Sequence, residues 1–218
     1  MIRQFTFNHF EVNTYLIVDE TTHQCAIVDP ACEASYEDAQ LVDYVATMSL
    51  QVTHILLTHA HVDHIAGLRQ CCEHYHLPVT MHAEGRHLLR QAEAYGSMMG
   101  FAVDRMDDLE VVEINDGDIL YLSPLTSHLS PQIECRYVPG HCPGSMCFVV
   151  PSENAVITGD ALFHFSIGRT DLPGGDYPTL IDYLKRRILT LPDDYRVLPG
   201  HGIASQIGKE KKYNSFLV

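Results

Sequence analysis

The sequence predicts one α/β domain spanning residues 1–218, and three observations carry that prediction. Runs of β-formers open the chain and return in its second half. Between them lie stretches whose apolar residues recur at helical spacing. Three later apolar runs each stop at a polar punctuation ending in His or Asp, which delivers a potential ligand at a strand end.

The elements follow in order. Phe5, Phe7, Val12, Tyr15 and Ile17, then Cys25, Ile27 and Val28, are β-formers separated by breaks such as Asp19-Glu20-Thr21-Thr22, and Asp29-Pro30 ends this β-rich stretch. Over residues 36–48, Ala39, Leu41, Val42, Val45, Ala46 and Met48 cluster on one helical face, and the apolar run 52–57 follows as a buried strand. Ile65, Leu68, Cys72 and Tyr75 keep helical spacing until Pro78, so a helix is expected to start near His64. Residues 84–96 read as helix, 97–107 as irregular, and Asn115-Asp116-Gly117-Asp118 as a hairpin-type turn between Val111 and Ile119. The three punctuated runs are 135–138 before Pro139-Gly140-His141, 155–157 before Thr158-Gly159-Asp160, and 196–198 before Pro199-Gly200-His201. The Val-Pro-Gly-His and Leu-Pro-Gly-His segments hint at two related halves.

Composition bounds the function. With 46% hydrophobic and 19% charged residues the chain can bury a core. No apolar run reaches the ~18 residues of a membrane span, and the N-terminus lacks a signal peptide's apolar stretch, so a soluble cytoplasmic protein is expected. Fourteen Lys and Arg against 28 Asp and Glu give a net charge of -14, which repels nucleic-acid phosphates and anionic lipid. Seven cysteines without C-x-x-C spacing read as reduced thiols rather than a disulfide framework.

Thr58-His59-Ala60-His61-Val62-Asp63-His64 sets three imidazoles and a carboxylate within six residues, directly after an apolar strand. Stability alone seldom asks for that. Imidazole nitrogen and carboxylate oxygen are the donors that hold zinc, iron or manganese, and residues two apart in an extended loop, His59 and His61, can project toward one ion. Asp63 and His64 lie further along and can face a second ion. The cluster is too small for two ions, and the strand-end punctuations offer His141, Asp160 and His201. The expected assignment is His59, His61 and His141 on one metal, Asp63, His64 and His201 on the other, and Asp160 bridging both.

These residues resemble the signature of the metallo-β-lactamase-fold hydrolases, whose H-x-H-x-D-H motif stands here as His59-Ala60-His61-Val62-Asp63-His64. The resemblance extends to Ile27-Val28-Asp29-Pro30, Gly140-His141, Thr158-Gly159-Asp160 and Pro199-Gly200-His201, and it implies a four-layer αββα sandwich with the metals at one edge. Within that superfamily, Ser166-Ile167-Gly168-Arg169-Thr170-Asp171-Leu172-Pro173-Gly174-Gly175-Asp176 is similar to the loop of small glyoxalase II-like thioester hydrolases. True β-lactamases usually place a Cys among the second metal's ligands and lack a His beside the motif's Asp; His64 is present here, which disfavours antibiotic hydrolysis. Larger glyoxalase II enzymes carry a helical C-terminal domain that supplies glutathione-binding residues, and 17 residues follow His201, so glutathione recognition by such a domain is not expected.

The chemistry this implies is hydrolysis of a thioester such as S-lactoylglutathione by a hydroxide shared between two divalent ions, most readily Zn, with Fe or Mn as alternatives. Asp63 would orient the water. A thiolate leaves without a strong general acid, and two cations would attract a small anionic acyl-thiol substrate despite the acidic chain. A mononuclear iron persulfide dioxygenase of the same fold is the alternative. Arg169 and Asp171 either contact substrate or pair with each other to fix their loop. Cys142 reads as a small buried hydrophobe, and His54 as structural. Met98 and Met99 read either as a lid or as ordinary packing. His74, His76, His82, His87, His128 and His164 read as surface or wall residues, and Lys209, Lys211, Lys212 and Tyr213 as a solvated tail.

Overall fold

The computed structural model describes residues 1–123 and 132–218. Its first half runs β1 (Ile2–Phe7), β2 (Val12–Asp19), β3 (Gln24–Val28), α1 (Ser35–Thr47), β4 (Gln51–Leu56), α2 (Leu68–Tyr75), β5 (Val79–Met81), α3 (Arg86–Met99) and β6 (Val111–Glu113). These six strands form one sheet in sequence order, antiparallel from β1 to β3 and parallel from β3 to β6.

The second half runs β7 (Ile119–Tyr121), β8 (Gln132–Tyr137), β9 (Met146–Val150), β10 (Ala155–Gly159), β11 (Leu162–Phe163), β12 (Ser166–Ile167), α4 (Tyr177–Tyr183), β13 (Arg196–Pro199), β14 (Ser205–Gln206) and α5 (Ile207–Tyr213). It builds a second sheet in the order β14-β13-β10-β9-β8-β7, in which only β10 and β13 are parallel, while β11 and β12 form a separate ribbon. A π-helical turn, Leu184–Ile188, extends α4.

Period-two alternation sorts the core into layers, because successive strand residues point to opposite faces. In β2, Val12, Leu16 and Val18 join the cluster that holds Leu41 and Val45 of α1, Leu68 of α2 and Leu88 of α3. Their neighbours Tyr15 and Ile17 join the cluster between the sheets, with Phe148, Ile157 and Leu198. In β9 and β10, Cys147, Val149 and Val156 turn the other way, toward Leu180 of α4, Ile188 and Ile207 of α5. Helices, sheet, sheet, helices: this is the αββα sandwich that the motifs imply. Both β2 and β9 are covered on both faces, which explains their uninterrupted burial; β9 is apolar throughout, and β2 also buries Asn13, Thr14 and Asp19.

Three local expectations are corrected. The helix expected near His64 begins at Leu68. Residues 62–67 form turns instead, with His64 N–H donating to His61 O at 3.0 Å and Gly67 N–H to Pro30 O at 3.0 Å. Tertiary ties to the end of β3 hold this segment out of helical geometry. The irregular stretch expected from residue 97 starts later, since α3 continues through Met99 and stops where Gly100 adopts φ 87° and its N–H reaches Gly96 O. The turn at 115–118 exists, with Asp118 N–H to Asn115 O at 3.2 Å, but it is no hairpin. β6 pairs with β5 and β7 with β8, so the turn carries the chain from one sheet to the other. Turn chemistry is local, whereas the pairing partner is chosen by the rest of the fold. His128 lies outside the described residues.

Candidate metal centre

Two parallel strand pairs build the site, because parallel neighbours end at the same edge. β3 and β4 run together, so Asp29 after β3 meets Thr58 after β4: the Thr58 N–H donates to Asp29 Oδ1 at 2.7 Å and its hydroxyl to Oδ2 at 2.6 Å. The His59–His64 loop leaves from this clasp. β10 and β13 likewise deliver Asp160 and His201, with Gly200 N–H on Gly159 O at 2.8 Å. Only glycine fits at 200, since a Cβ there would sit 2.3 Å from Asp160 Oδ1 and 2.6 Å from His64 Cε1.

The side chains converge in two groups. His59, His61 and His141 bring their donor atoms within 4.8 Å of one another, and so do Asp63, His64 and His201. Asp160 spans them: Oδ1 lies 3.2 Å from His64 Nε2, and Oδ2 lies 3.7 Å from His141 Nε2 and 3.6 Å from His201 Nε2. All seven expected ligand residues therefore meet at one place.

Most of the imidazoles are anchored through Nδ1, which leaves Nε2 facing inward. His64 Nδ1 is 2.9 Å from Asp29 Oδ2, His141 Nδ1 2.8 Å from Arg169 O, and His201 Nδ1 2.9 Å from Phe10 O. His59 Nδ1 is 3.1 Å from Thr58 Oγ1. That hydroxyl already donates to Asp29, so it accepts from His59. His61 differs, with its Nδ1 2.9 Å from His141 Nε2. Such outer hydrogen bonds fix the tautomer and aim of a metal-ligating imidazole.

The atoms left over are informative. His59 Nε2 is buried without a hydrogen-bond partner, and His64 Nε2 and Asp160 Oδ1, 3.2 Å apart, are buried with no partner but each other. Buried polar atoms are ordinarily paired, and an electrophile at this point would satisfy all three. Five imidazoles and two carboxylates form the N/O donor set of zinc, iron or manganese, so the residues fit a pair of divalent ions.

Proton affinities divide the groups. Burial drives His59 and His141 below the usual histidine range, and burial reinforced by His141 takes His61 down to about 4. His64 moves the other way: burial opposes its charge, but Asp160, Asp63 and Asp29 outweigh it. His201 is raised similarly, with the Asp63 hydrogen bond overcoming burial. Burial disfavours the charged form of Asp63 and Asp160 too, yet the facing imidazoles, His64 foremost, hold both carboxyls below their ordinary range.

The sequence profile of the Metallo-beta-lactamase superfamily matches residues 8–201. The chain belongs to that superfamily. Among curated relatives of this metallo-β-lactamase superfamily protein, the probable metallo-hydrolase YqgX of Bacillus subtilis is 35% identical over 217 residues, covering 99% of this chain and 96% of YqgX. The hydroxyacylglutathione hydrolase GloC of Haemophilus influenzae is 34% identical, covering 95% of this chain and 93% of GloC. Three solved structures are similar over nearly the whole chain. The BLEG-1 B3 metallo-beta-lactamase has TM-score 0.87 and 29% identity, covering 100% of both chains. TTHA1623 in a di-iron-bound form has TM-score 0.85 and 33% identity, covering 99% and 100%. ETHE1 from Myxococcus xanthus has TM-score 0.78 and 27% identity, covering 100% of this chain and 84% of its own.

Above the histidines this superfamily member opens a cavity of about 310 Å³, with His61, Asp63, His141, Asp160 and His201 at its floor. Arg169 lines it, and its guanidinium pairs with Asp171 through two 2.8 Å bonds. Both readings of that pair thus have a counterpart in the geometry. Cys142 Sγ falls within 4.8 Å of the His59, His61 and His141 donors; in the metal-free protein burial pushes the thiol up to about 12, and Ser145 Oγ lies 3.2 Å away. His164 lies against Phe165 with ring centroids 4.0 Å apart and planes tilted by 37°, outside the cavity lining.

Two orienting roles escape the sequence reading. Asp29, legible only as the end of a β-rich stretch and as part of the Ile27-Val28-Asp29-Pro30 resemblance, with no role attached, reaches His64 directly and His59 through Thr58. Asn8 donates from Nδ2 to Asp63 O at 2.8 Å and Ala31 O at 2.9 Å, a tie for which nothing in the local pattern speaks.

Proposed function

We propose that this protein is a thioester hydrolase acting on small acyl-thiol substrates such as S-lactoylglutathione, with two divalent ions held by His59, His61, His141 and by Asp63, His64, His201, and with Asp160 between them. The observation that carries the reading is Asp160, whose two oxygens reach both imidazole groups, beside His59 Nε2, which is buried without a partner. Divalent ions at this place supply Lewis-acid polarisation of the acyl oxygen and a hydroxide nucleophile near neutral pH. Zinc suits the donors; the di-iron form of TTHA1623 supports iron as well.

The chain's own residues do the rest. Asp63 is held ionised at the cavity floor, where it accepts a hydrogen bond from the incoming water and orients it. Asp29 and Thr58 lock the direction of His59 and His64. The departing thiolate needs no strong general acid. The GloC name of the Haemophilus influenzae relative supports the substrate class. Seven buried free thiols suit a reducing cytoplasm, and the charge of -14 argues against nucleic acid or membrane partners.

The likeness to ETHE1 favours one alternative, a mononuclear iron persulfide dioxygenase. The second donor group around Asp160 speaks for the hydrolase, since a single iron would leave Asp63, His64 and His201 idle. The test is to purify the protein without added metal or chelator, count Zn, Fe and Mn per chain, and assay S-lactoylglutathione anaerobically. About two metals with oxygen-independent turnover supports the hydrolase. About one iron with oxygen uptake on a glutathione persulfide overturns it, as does turnover confined to β-lactams, which the BLEG-1 likeness puts in the same assay panel.

A further inference from the structure

The walls of the cavity differ from its floor. Leu88, Ala92, Tyr95 and Met99 of α3 line it at spacings of four, three and four residues, one stripe of the helix. The inner end of that stripe is core, with Leu88 and Ala92 buried. Its outer end is not: Tyr95 is 38% exposed and Met99 43% exposed, so the apolar face runs on past the core and over the cavity. Phe10 and Pro173 line it too.

Charge on this lining is scarce above the floor. Among the described lining residues the one Lys or Arg is Arg169, and Asp171 already occupies its guanidinium. A glutathione moiety brings two carboxylates and an ammonium, for which the wall offers one shared cation. An apolar chain finds complementary surface along the whole α3 stripe.

We infer that, within the thioester-hydrolase reading on which this rests, the group seated against α3 is an apolar acyl chain, and that Tyr95 and Met99 set the preference for its length. The acyl carbonyl then sits at the histidine floor and the chain extends along Leu88, Ala92, Tyr95 and Met99 toward the opening. Hydrolysis forms the carboxylic acid from the acyl group and water, and releases the thiol.

The test holds the thiol constant and varies the acyl chain. The metal-loaded protein is given acetyl, butyryl, hexanoyl and octanoyl thioesters of N-acetylcysteamine, a neutral thiol, alongside S-lactoylglutathione. The expected result is a rise in kcat/KM of about fourfold per methylene until the cavity is filled. Tyr95→Ala and Met99→Glu should flatten that slope at unchanged metal content, whereas Met98→Ala, at an 81% exposed position outside the lining, should keep it. Turnover without chain-length dependence, or a strong preference for the glutathione thioester, overturns the apolar-chain inference and leaves thioester hydrolysis standing. No turnover of any thioester overturns the reading beneath it as well.

Discussion

The two donor groups use the same side chain in opposite electrostatic settings. His59, His61 and His141 are buried among one another, and burial keeps them neutral. His64 and His201 face Asp63 and Asp160, which favour the imidazolium strongly enough to overcome burial. The first group is therefore ready for a cation as it folds. The second must release protons to bind one, so neighbours rather than residue type decide how binding depends on pH.

Asp160→Ala tests what the groups share. Because Asp160 reaches both, its loss should lower metal content and activity together, with activity falling by more than about 100-fold. Metal analysis and a hydrolysis assay on one sample check this, and full activity with two bound metals would sink the bridging assignment. Asp29→Asn should separate the groups. It removes the carboxylate that orients His64 directly and His59 only through Thr58, so affinity should fall by about 10- to 100-fold at the His64 group and less at the His59 group. Stepwise metal titration resolves the two.

Acid should separate them further. Between about pH 8 and about pH 5 the His64 group should empty first, at about tenfold in affinity per pH unit for each proton displaced. Metal retained against a fixed chelator reports the order, and simultaneous loss would contradict it. In the metal-free protein the signs are opposed. His64 and His201 bind protons more tightly when folded, so the stability they add is complete below about pH 6.5 and is lost as pH rises through their raised values. For His59, His61 and His141 stability falls as pH drops below about 6.5, toward about 4 for His61. Thermal melts across this range measure the balance.

Arg169→Ala should have the smallest effect. The pair with Asp171 is exposed, so KM should rise by less than about tenfold with kcat and metal content kept. A large loss of metal would instead show that the Arg169–Asp171 pair holds in place the loop whose backbone carbonyl at 169 meets His141 Nδ1.

Legibility follows distance along the chain. His59, His61, Asp63 and His64 declare themselves because four donors in six residues have few structural uses. His141, Asp160 and His201 are legible as polar ends of apolar runs, since a strand end is where a sheet exposes side chains to a ligand. Asp29 carries the same signal and belongs to the stretch that carries the resemblance, but its role is not legible, because its partners Thr58 and His64 become neighbours only when β3 and β4 pair in parallel. The 115–118 turn shows the same gap: its residues specify a bend, while β5 and β8 decide where the flanking strands go.

The residue pattern alone thus contains the donor set, the α/β class and the chemistry those donors favour, because ligand type and apolar periodicity are properties of short stretches, whereas the layer order comes from the family resemblance. The proton affinities, the outer anchors and the apolar wall of α3 arise only on folding. They depend on burial and through-space charge between groups as far apart in sequence as Phe10 and His201, 191 positions, whose carbonyl and imidazole meet at 2.9 Å.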